Sequence, residues 1–389
     1  MRKKRILAVF GTRPEAVKMC PLVGELKKRE GLETAVCVTG QHREMLDGVL
    51  GTFGVVPDFD LDIMKERQSL FDITSGVIDG IRPVLEEVRP DILLVQGDTS
   101  TAFAAALAAF YSRIPVGHVE AGLRTFDTSA PWPEEFNRRS VDVMSSLCFA
   151  PTRRAAGNLL AEGKERAAVF ITGNTVTDAI RHTLKKDYSH PLLEWAGDKK
   201  LIFITAHRRE ILGGPMRGIF RAIRRTLEER PDCRAVFPVH LNPAVREEAE
   251  AAFAGCGSIR LTGPLDVADC HNIEARSYLC LTDSGGVCEE CPVFGVPVLV
   301  MRGRTDRPEG VEAGVTKVAG TREEGIYEDL RLLLDDSEAY RKMSRVCSPF
   351  GDGHASERIA DVLERGECEE WRPEESERRT DETLRDNRQ

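Results

Sequence analysis

Arg5-Ile-Leu-Ala-Val-Phe-Gly-Thr-Arg-Pro-Glu15 decides how the rest of the chain is read. Ile6 to Phe10 is an apolar run without polar alternation, as a strand buried on both faces requires. Gly11 then permits an unusual backbone turn, and Pro14 suits the start of a helix. The stretch reads as strand, turn, helix, and the same order recurs. Thr34–Thr39, Asp91–Gln96, Pro115–Glu120 and Ala168–Ile171 read as further strands, with helical patterns at Ala16–Arg29, Leu70–Val88 and Ser100–Ser112. Alternation of this kind predicts a parallel, doubly wound sheet.

The pattern restarts near Lys199. Lys200–Thr205, Arg234–Pro238, Ser258–Leu261, Tyr278–Thr282 and Pro297–Met301 read as strands, and Pro215–Glu229, Ala244–Ala254 and Gly286–Phe294 as helices. The expectation is an α/β protein of two Rossmann-like domains facing a cleft. The domains span 1–186 and 200–365, with a linker at 187–199 and a last helix free to pack back on the first domain. Ligands of open α/β sheets sit beyond the carboxyl ends of the strands. The tail, 366–389, is rich in Glu, Arg, Asp and Thr and is expected to be disordered or a solvated helix.

Composition narrows the function. A chain of 389 residues suggests two domains, and 41% hydrophobic residues can fill both cores. A net charge of −9 argues against a general nucleic-acid binder. No apolar stretch is long enough to span a membrane, and the apolar run after Met1-Arg-Lys-Lys-Arg5 is too short for a signal peptide. The 11 cysteines, odd in number and scattered, suit reduced cytoplasmic thiols. Neither a GxxxxGK phosphate loop nor a GxGxxG dinucleotide turn is present, so ATPase and NAD readings lack support. Cys288 and Cys291 form a lone CxxC without a second pair at zinc spacing, so no metal is expected.

Polar residues gather at the ends of the expected strands. Arg13 and Lys18 flank a helix start, a natural anion site, though solvated charges at a plain turn would look the same. Asp98 follows the third strand, where it could equally cap the next helix. Glu120 ends the fourth strand, and burying a carboxylate there unpaired is costly, which favours function. Glu134 and Glu135 open a helix after Pro131-Trp-Pro133, where the helix dipole alone would favour acids. His207, beside Arg208 and Arg209, is a candidate acid, base or phosphate donor, or a structural histidine. In Leu281-Thr-Asp-Ser-Gly-Gly-Val-Cys-Glu-Glu290, Ser284, Gly285 and Gly286 can present backbone N–H groups and a hydroxyl to a diphosphate. Glu290, one turn on, could accept ribose hydroxyls. Arg302, Arg304 and Arg307 follow shortly.

Taken together, GTRPEAVKM, TGQHREML, GDTSTAFAAALAAFYSRIPVGHVEAGLRT, PWPEEFNR, ITGNTV, AHRRE, PVHLNP, LTDSGG and RPEGVEAG closely resemble the non-hydrolysing UDP-N-acetylglucosamine 2-epimerases, from about Arg5 to Ile359. The resemblance implies a glycosyltransferase-B-like fold and a homodimer without metal or redox cofactor. It implies that UDP-N-acetylglucosamine and UDP-N-acetylmannosamine are the ligands, with no nucleic-acid or membrane partner. Arg13, Lys18, His207, Ser284, Gly285, Gly286, Glu290 and Arg307 match the family's nucleotide and phosphate contacts. Asp98, Glu120 and Glu134 match its catalytic acids, and His207 stands with them at the reacting end. Gln41, His42, Arg67, Glu134 and Arg208 match an activating second site, with Glu44 where Gln is frequent.

The implied chemistry is elimination and re-addition. A carboxylate takes the C2 proton as UDP leaves C1, and UDP adds back to 2-acetamidoglucal with proton delivery to the opposite face. The sequence departs from the family at Cys288 (usually Gln), at Cys291 (often Ala), at Cys270 near the uracil pocket, and at Arg302-Gly-Arg-Thr-Asp-Arg307 in place of RDTTER. Hydrolysing relatives, epimerases of diacetamido or uronate sugars, glycosyltransferases of the same architecture, and an inactive nucleotide-sugar sensor remain alternatives.

Overall fold

The computed structural model describes residues 2–40, 43–65 and 68–372. The chain divides into two compact units, one running to His182 and resuming at Phe350, the other spanning Thr183–Pro349.

The first unit is built on strands β1 (Lys4–Phe10), β2 (Leu32–Val38), β3 (Phe59–Asp60), β4 (Ile92–Gln96), β5 (Val116–Val119), β6 (Leu147–Ala150) and β7 (Val169–Ile171). All pair in parallel in the order β3-β2-β1-β4-β5-β6-β7. β1 is an interior strand, with Lys4 opposite Leu32 on one side and Ile6 opposite Ile92 on the other. Both of its faces are covered, so Ile6 through Phe10 are fully buried. The helix Ser100–Tyr111 lies close to the sheet because its inward positions are small: Ala102, Ala105, Ala106 and Ala109 have no exposed surface.

The second unit carries β8 (Lys200–Thr205), β9 (Cys233–Pro238), β10 (Ile259–Thr262), β11 (Leu279–Thr282), β12 (Val298–Val300) and β13 (Thr316–Val318). These are also all parallel, in the order β10-β9-β8-β11-β12-β13. Each sheet thus reverses its winding direction once, at β1/β4 and at β8/β11. Such switch points open a crevice at the strand carboxyl ends.

β3, β6 and β13 were not expected from the sequence. β3 is two residues long, and Leu147-Cys-Phe-Ala150 follows the helix Glu134–Met144 with no turn signal between them. The expected linker, 187–199, contains a helix, Pro191–Ala196, capped by the His190 ring and started by Pro191.

The last described helix, Ala355–Arg365, belongs to the first unit and packs on Arg13–Leu26. Asp178 accepts the N–H groups of Ala355 and Ser356 at 3.2 and 2.7 Å at its start. One residue at the beginning of the tail is docked, although Gly366, Glu367 and Glu369 around it are exposed. Trp371 is 1% exposed, and its backbone N–H donates to Ile171 O at 2.8 Å, extending the edge beside β7. The charged composition of the tail hid one anchoring aromatic. Among the described residues no helix is long and apolar enough to cross a membrane.

Candidate active site

In the first unit the loops after β1, β4 and β5 converge at the switch point. Glu120, directly after β5, has φ +71°, a left-handed conformation that a β-carbon makes costly. Strain of this kind persists only where the surroundings hold it, and it concentrates at functional positions. Here the neighbours do hold it. Glu120 N–H and Ala121 N–H both donate to Phe149 O. Gly122 N–H donates to the buried Asp142 carboxylate at 3.2 Å. At Gly122, φ +86°, a β-carbon would stand 2.2 Å from Ala155 O, so only glycine lets the turn close.

The Glu120 carboxyl is buried and ion-paired with Lys18 from the helix Arg13–Leu26. Asn174 Nδ2 donates to the same oxygen, Oε2, at 2.6 Å. A β-carbon on Gly97 would lie 3.6 Å from Glu120 Oε1, so the other oxygen lies beside the turn carrying Asp98. Beneath them, both ring nitrogens of His118 face acceptors, Asp142 Oδ1 at 2.6 Å and Gly97 O at 2.8 Å. Burial pushes Asp142 up, but the charges and hydrogen bonds of His118 and Arg124 outweigh it and hold the carboxyl below the usual carboxylate range.

Asp98 does not cap a helix. Thr99 does, accepting Ala102 N–H at 2.9 Å while donating to Glu15 Oε1 at 2.7 Å. Asp98 is instead ion-paired with Arg138, and its carbonyl accepts Asn137 Nδ2 at 3.0 Å. Both partners come from the helix Glu134–Met144, whose first two acids divide their work. Glu135 accepts the N–H groups of Thr125 and Phe126, each at 3.0 Å, and shapes the preceding loop. Glu134 Oε2 is buried with no hydrogen-bond partner among the described residues, one helical turn before Arg138. Arg13 is the first residue of its helix and is partly exposed.

Lys18, Asp98 and Glu120 therefore gather at the strand ends, and the helix that opens with Glu134 is tied to Asp98 through Asn137 and Arg138. Sequence reasoning missed Asn174 and Arg138 as partners. Both lie in quoted strings, ITGNTV and PWPEEFNR, yet nothing in an isolated string shows which carboxylate an amide or guanidinium will reach.

In the second unit the loops after β8, β11 and β12 form the corresponding group. Asp283, at the end of β11, accepts the backbone N–H groups of His207 and Arg208 at 2.6 and 2.7 Å, and His207 Nδ1 lies 3.0 Å from its other oxygen. Burial raises the Asp283 carboxyl, but His207 and the two N–H donors prevail and hold it below its ordinary range. The His207 ring stacks on His240 with centroids 5.6 Å apart.

The helix Gly285–Val293 begins at Ser284, whose side chain makes no capping bond, so the hydroxyl and the first-turn N–H groups remain for an anion. A side chain at 285 would stand 3.4 Å from the Arg307 guanidinium carbon, and one at 286 would stand 3.2 Å from Glu290 Oε1. The two glycines therefore let a cation and a carboxylate close on the helix start. Arg307 is anchored by Glu289 and by Asp306 Oδ2 at 3.1 Å. Arg302 pairs with Glu210 at 2.6 Å and Arg304 is exposed.

Burial pushes the Cys288 and Cys291 thiols up, away from the reactive thiolate. Among the described residues no group of three or more His, Cys, Asp or Glu could hold a metal ion. Of the expected activating site, Gln41, His42 and Arg67 lie outside the described residues. Glu134 sits as above, and Arg208 is half-buried with its backbone on Asp283.

A sequence model of the UDP-N-acetylglucosamine 2-epimerase family matches residues 24–364. The UDP-N-acetylglucosamine 2-epimerase of Bacillus subtilis is 53% identical over 363 residues, 93% of this chain and 96% of that one. A solved structure from Listeria monocytogenes has a TM-score of 0.92 at 51% identity, covering 95% of this chain and 100% of that one. The structure of the Neisseria meningitidis UDP-GlcNAc 2-epimerase bound to UDP-GlcNAc has a TM-score of 0.89 at 44% identity, covering 92% and 99%. Similarity this extensive takes in more than nine-tenths of the chain at about half identity, and the chain belongs to the UDP-N-acetylglucosamine 2-epimerase family.

Proposed function

We propose that the chain interconverts UDP-N-acetylglucosamine and UDP-N-acetylmannosamine by the non-hydrolysing route. Ser284, Gly285, Gly286 and Arg307 take the diphosphate, with His207, Arg13 and Lys18 as further donors, and Glu290 takes the ribose. The departing UDP gains charge as the C1–O bond breaks, and fixed N–H dipoles and cations stabilise that charge. A carboxylate accepts the C2 proton, and the C–H electron pair forms the C1–C2 double bond of 2-acetamidoglucal. UDP then adds back to C1 from the side it left while a proton is delivered to the opposite face of C2, and this gives the epimer.

The observation that carries this reading is Glu120. It is a buried, strained carboxylate clamped by Lys18 and Asn174 beside Asp98. A clamped acid of this kind serves proton transfer better than it serves stability. Inversion needs proton transfer on both faces, and Asp98 and Glu134 supply the further acids. No metal or redox cofactor enters this scheme. Glu134 and Arg208 are assigned to an activating second site with Gln41, His42 and Arg67.

The reading includes a homodimer. Phe71, Phe110, Tyr111, Phe136 and Val143 are between 53% and 88% exposed on three helices packed side by side, an apolar face that a second copy would cover. The 11 cysteines are all free, which suits the cytoplasm, where this activity would feed cell-surface polysaccharide synthesis.

The test is incubation with UDP-N-acetylglucosamine in D2O, followed by proton and phosphorus NMR. The expected product is UDP-N-acetylmannosamine with deuterium at C2 and the diphosphate link intact. Free UDP with N-acetylmannosamine would assign the chain to the hydrolysing reaction instead. No exchange and no product would sink the proposal.

A further inference from the structure

Glu290 does not stand alone. The helix Val267–Ala275 presents His271 and Glu274, one turn apart, to the same spot. His271 Nε2 lies 3.7 Å from Glu290 Oε1, and the His271 ring is fixed from behind by Thr183 Oγ1 at 2.6 Å from Nδ1. The Glu274 carboxyl hydrogen-bonds the Glu290 carboxyl itself. Two carboxyls in contact cannot both be ionised, so one of them carries a proton between the two.

The structure says which. Glu274 is the deeper, 1% exposed against 9% for Glu290. Its second oxygen, Oε2, is buried with no hydrogen-bond partner among the described residues. A neutral acid tolerates that far better than a carboxylate does. The groups around it, Cys270 and Cys291 besides Glu290, supply no compensating positive charge. Burial first, then the Glu290 charge, hold Glu274 well above the usual carboxylate range.

We propose that Glu274 is a positioning residue for ribose recognition: it donates a hydrogen bond to Glu290 and fixes that carboxylate against the start of the helix Gly285–Val293, oriented to accept the hydroxyls of a uridine nucleotide. The proposal rests on the reading of Glu290 as the ribose acceptor. With the donor removed, Glu290 keeps its charge but loses the contact that selects its rotamer, and the ribose hydroxyls lose a preorganised acceptor.

The experiment is calorimetric titration of the full chain at neutral pH with UDP and with 2′-deoxyuridine diphosphate. The wild type should prefer UDP by roughly tenfold or more, the worth of a hydrogen bond to a charged group. Glu274→Ala should reduce that preference to about threefold or less, while Glu274→Gln, whose amide N–H can still donate, should restore most of it. Glu274→Met fills the same space without a donor and replaces the alanine variant if that one is unstable.

Full preference in Glu274→Ala or Glu274→Met would overturn the proposal. So would failure of Glu274→Gln to restore it, since packing rather than donation would then be at work. If the wild type shows no preference and Glu290→Ala changes nothing, the ribose reading itself falls. The two failures are thereby told apart.

Discussion

Asn174 donates its side-chain amide to the same Glu120 oxygen that Lys18 approaches, at 2.6 Å, from a loop more than 50 residues further along the chain. The amide adds no charge, so its work is orientation. Asn174 is itself held, its backbone N–H donating to Phe350 O. Asn174→Ala should lower kcat roughly ten- to hundredfold, the cost of misplacing a reacting group by about an ångström. UDP affinity should stay near wild type. Steady-state kinetics alongside UDP titration measures both, and an unchanged kcat would remove Asn174 from the site.

Glu120 itself should divide chemistry from binding. Glu120→Gln keeps the shape and loses the base, so turnover should fall by roughly 10²–10⁴ while UDP still binds. The variant also leaves Lys18 without its carboxylate. Melting temperature should therefore drop, and assays belong well below it. Wild-type turnover in this variant would disprove the proposed proton transfer.

The helix Ala355–Arg365 begins on a carboxyl that burial has pushed up to about 6, despite the bonds from Ser356 and Ala355 that pull it down. A raised folded value means that Asp178 binds its proton more tightly folded than unfolded. Its stabilising contribution is then complete below pH 4 and is lost as pH rises through about 6. The shift of about two units corresponds to roughly 3 kcal/mol. Asp178→Asn cannot ionise, so the stability difference, wild type minus variant, should shrink between pH 4 and 7. Calorimetric unfolding at a series of pH values would show this, and a constant difference would refute it.

Trp371 offers a plain stability test. Its ring is 1% exposed in a segment of otherwise charged residues. Trp371→Ala should cost about 3–5 kcal/mol in urea unfolding, as for other buried large-to-small changes. A cost below about 1 kcal/mol would mean that the segment is not docked in solution.

How far the sequence could be read follows from what each residue depends on. Ile6–Phe10 and Lys200–Thr205 were legible because burial on both faces leaves an unbroken apolar run. Leu70–Val88 was found at its true ends because Ser69 caps it and the apolar period is clean. Phe59–Asp60 could not be found, since two residues become a strand only by lying beside Cys37 and Val38. Candidate site residues were visible as polar residues at strand ends. Their partners were not. Asn174 for Glu120, Arg138 for Asp98 and Glu274 for Glu290 are each remote in sequence or placed on another element. Capping of Ser100–Tyr111 by Thr99 rather than Asp98 turns on one residue of register.

The return of the chain into the first unit sets an order of events during synthesis. A ribosome delivers seven strands, then the whole second unit, before Ala355–Arg365 appears to cover the helix Arg13–Leu26. A nascent chain stopped at His182 therefore has a complete sheet and an uncovered flank, whereas Thr183–Pro349 emerges as one uninterrupted stretch. The molecule is topologically an insertion, with one domain threaded into a surface loop of the other. A circular permutant cut anywhere within Thr183–Pro349 would make the first domain one contiguous stretch.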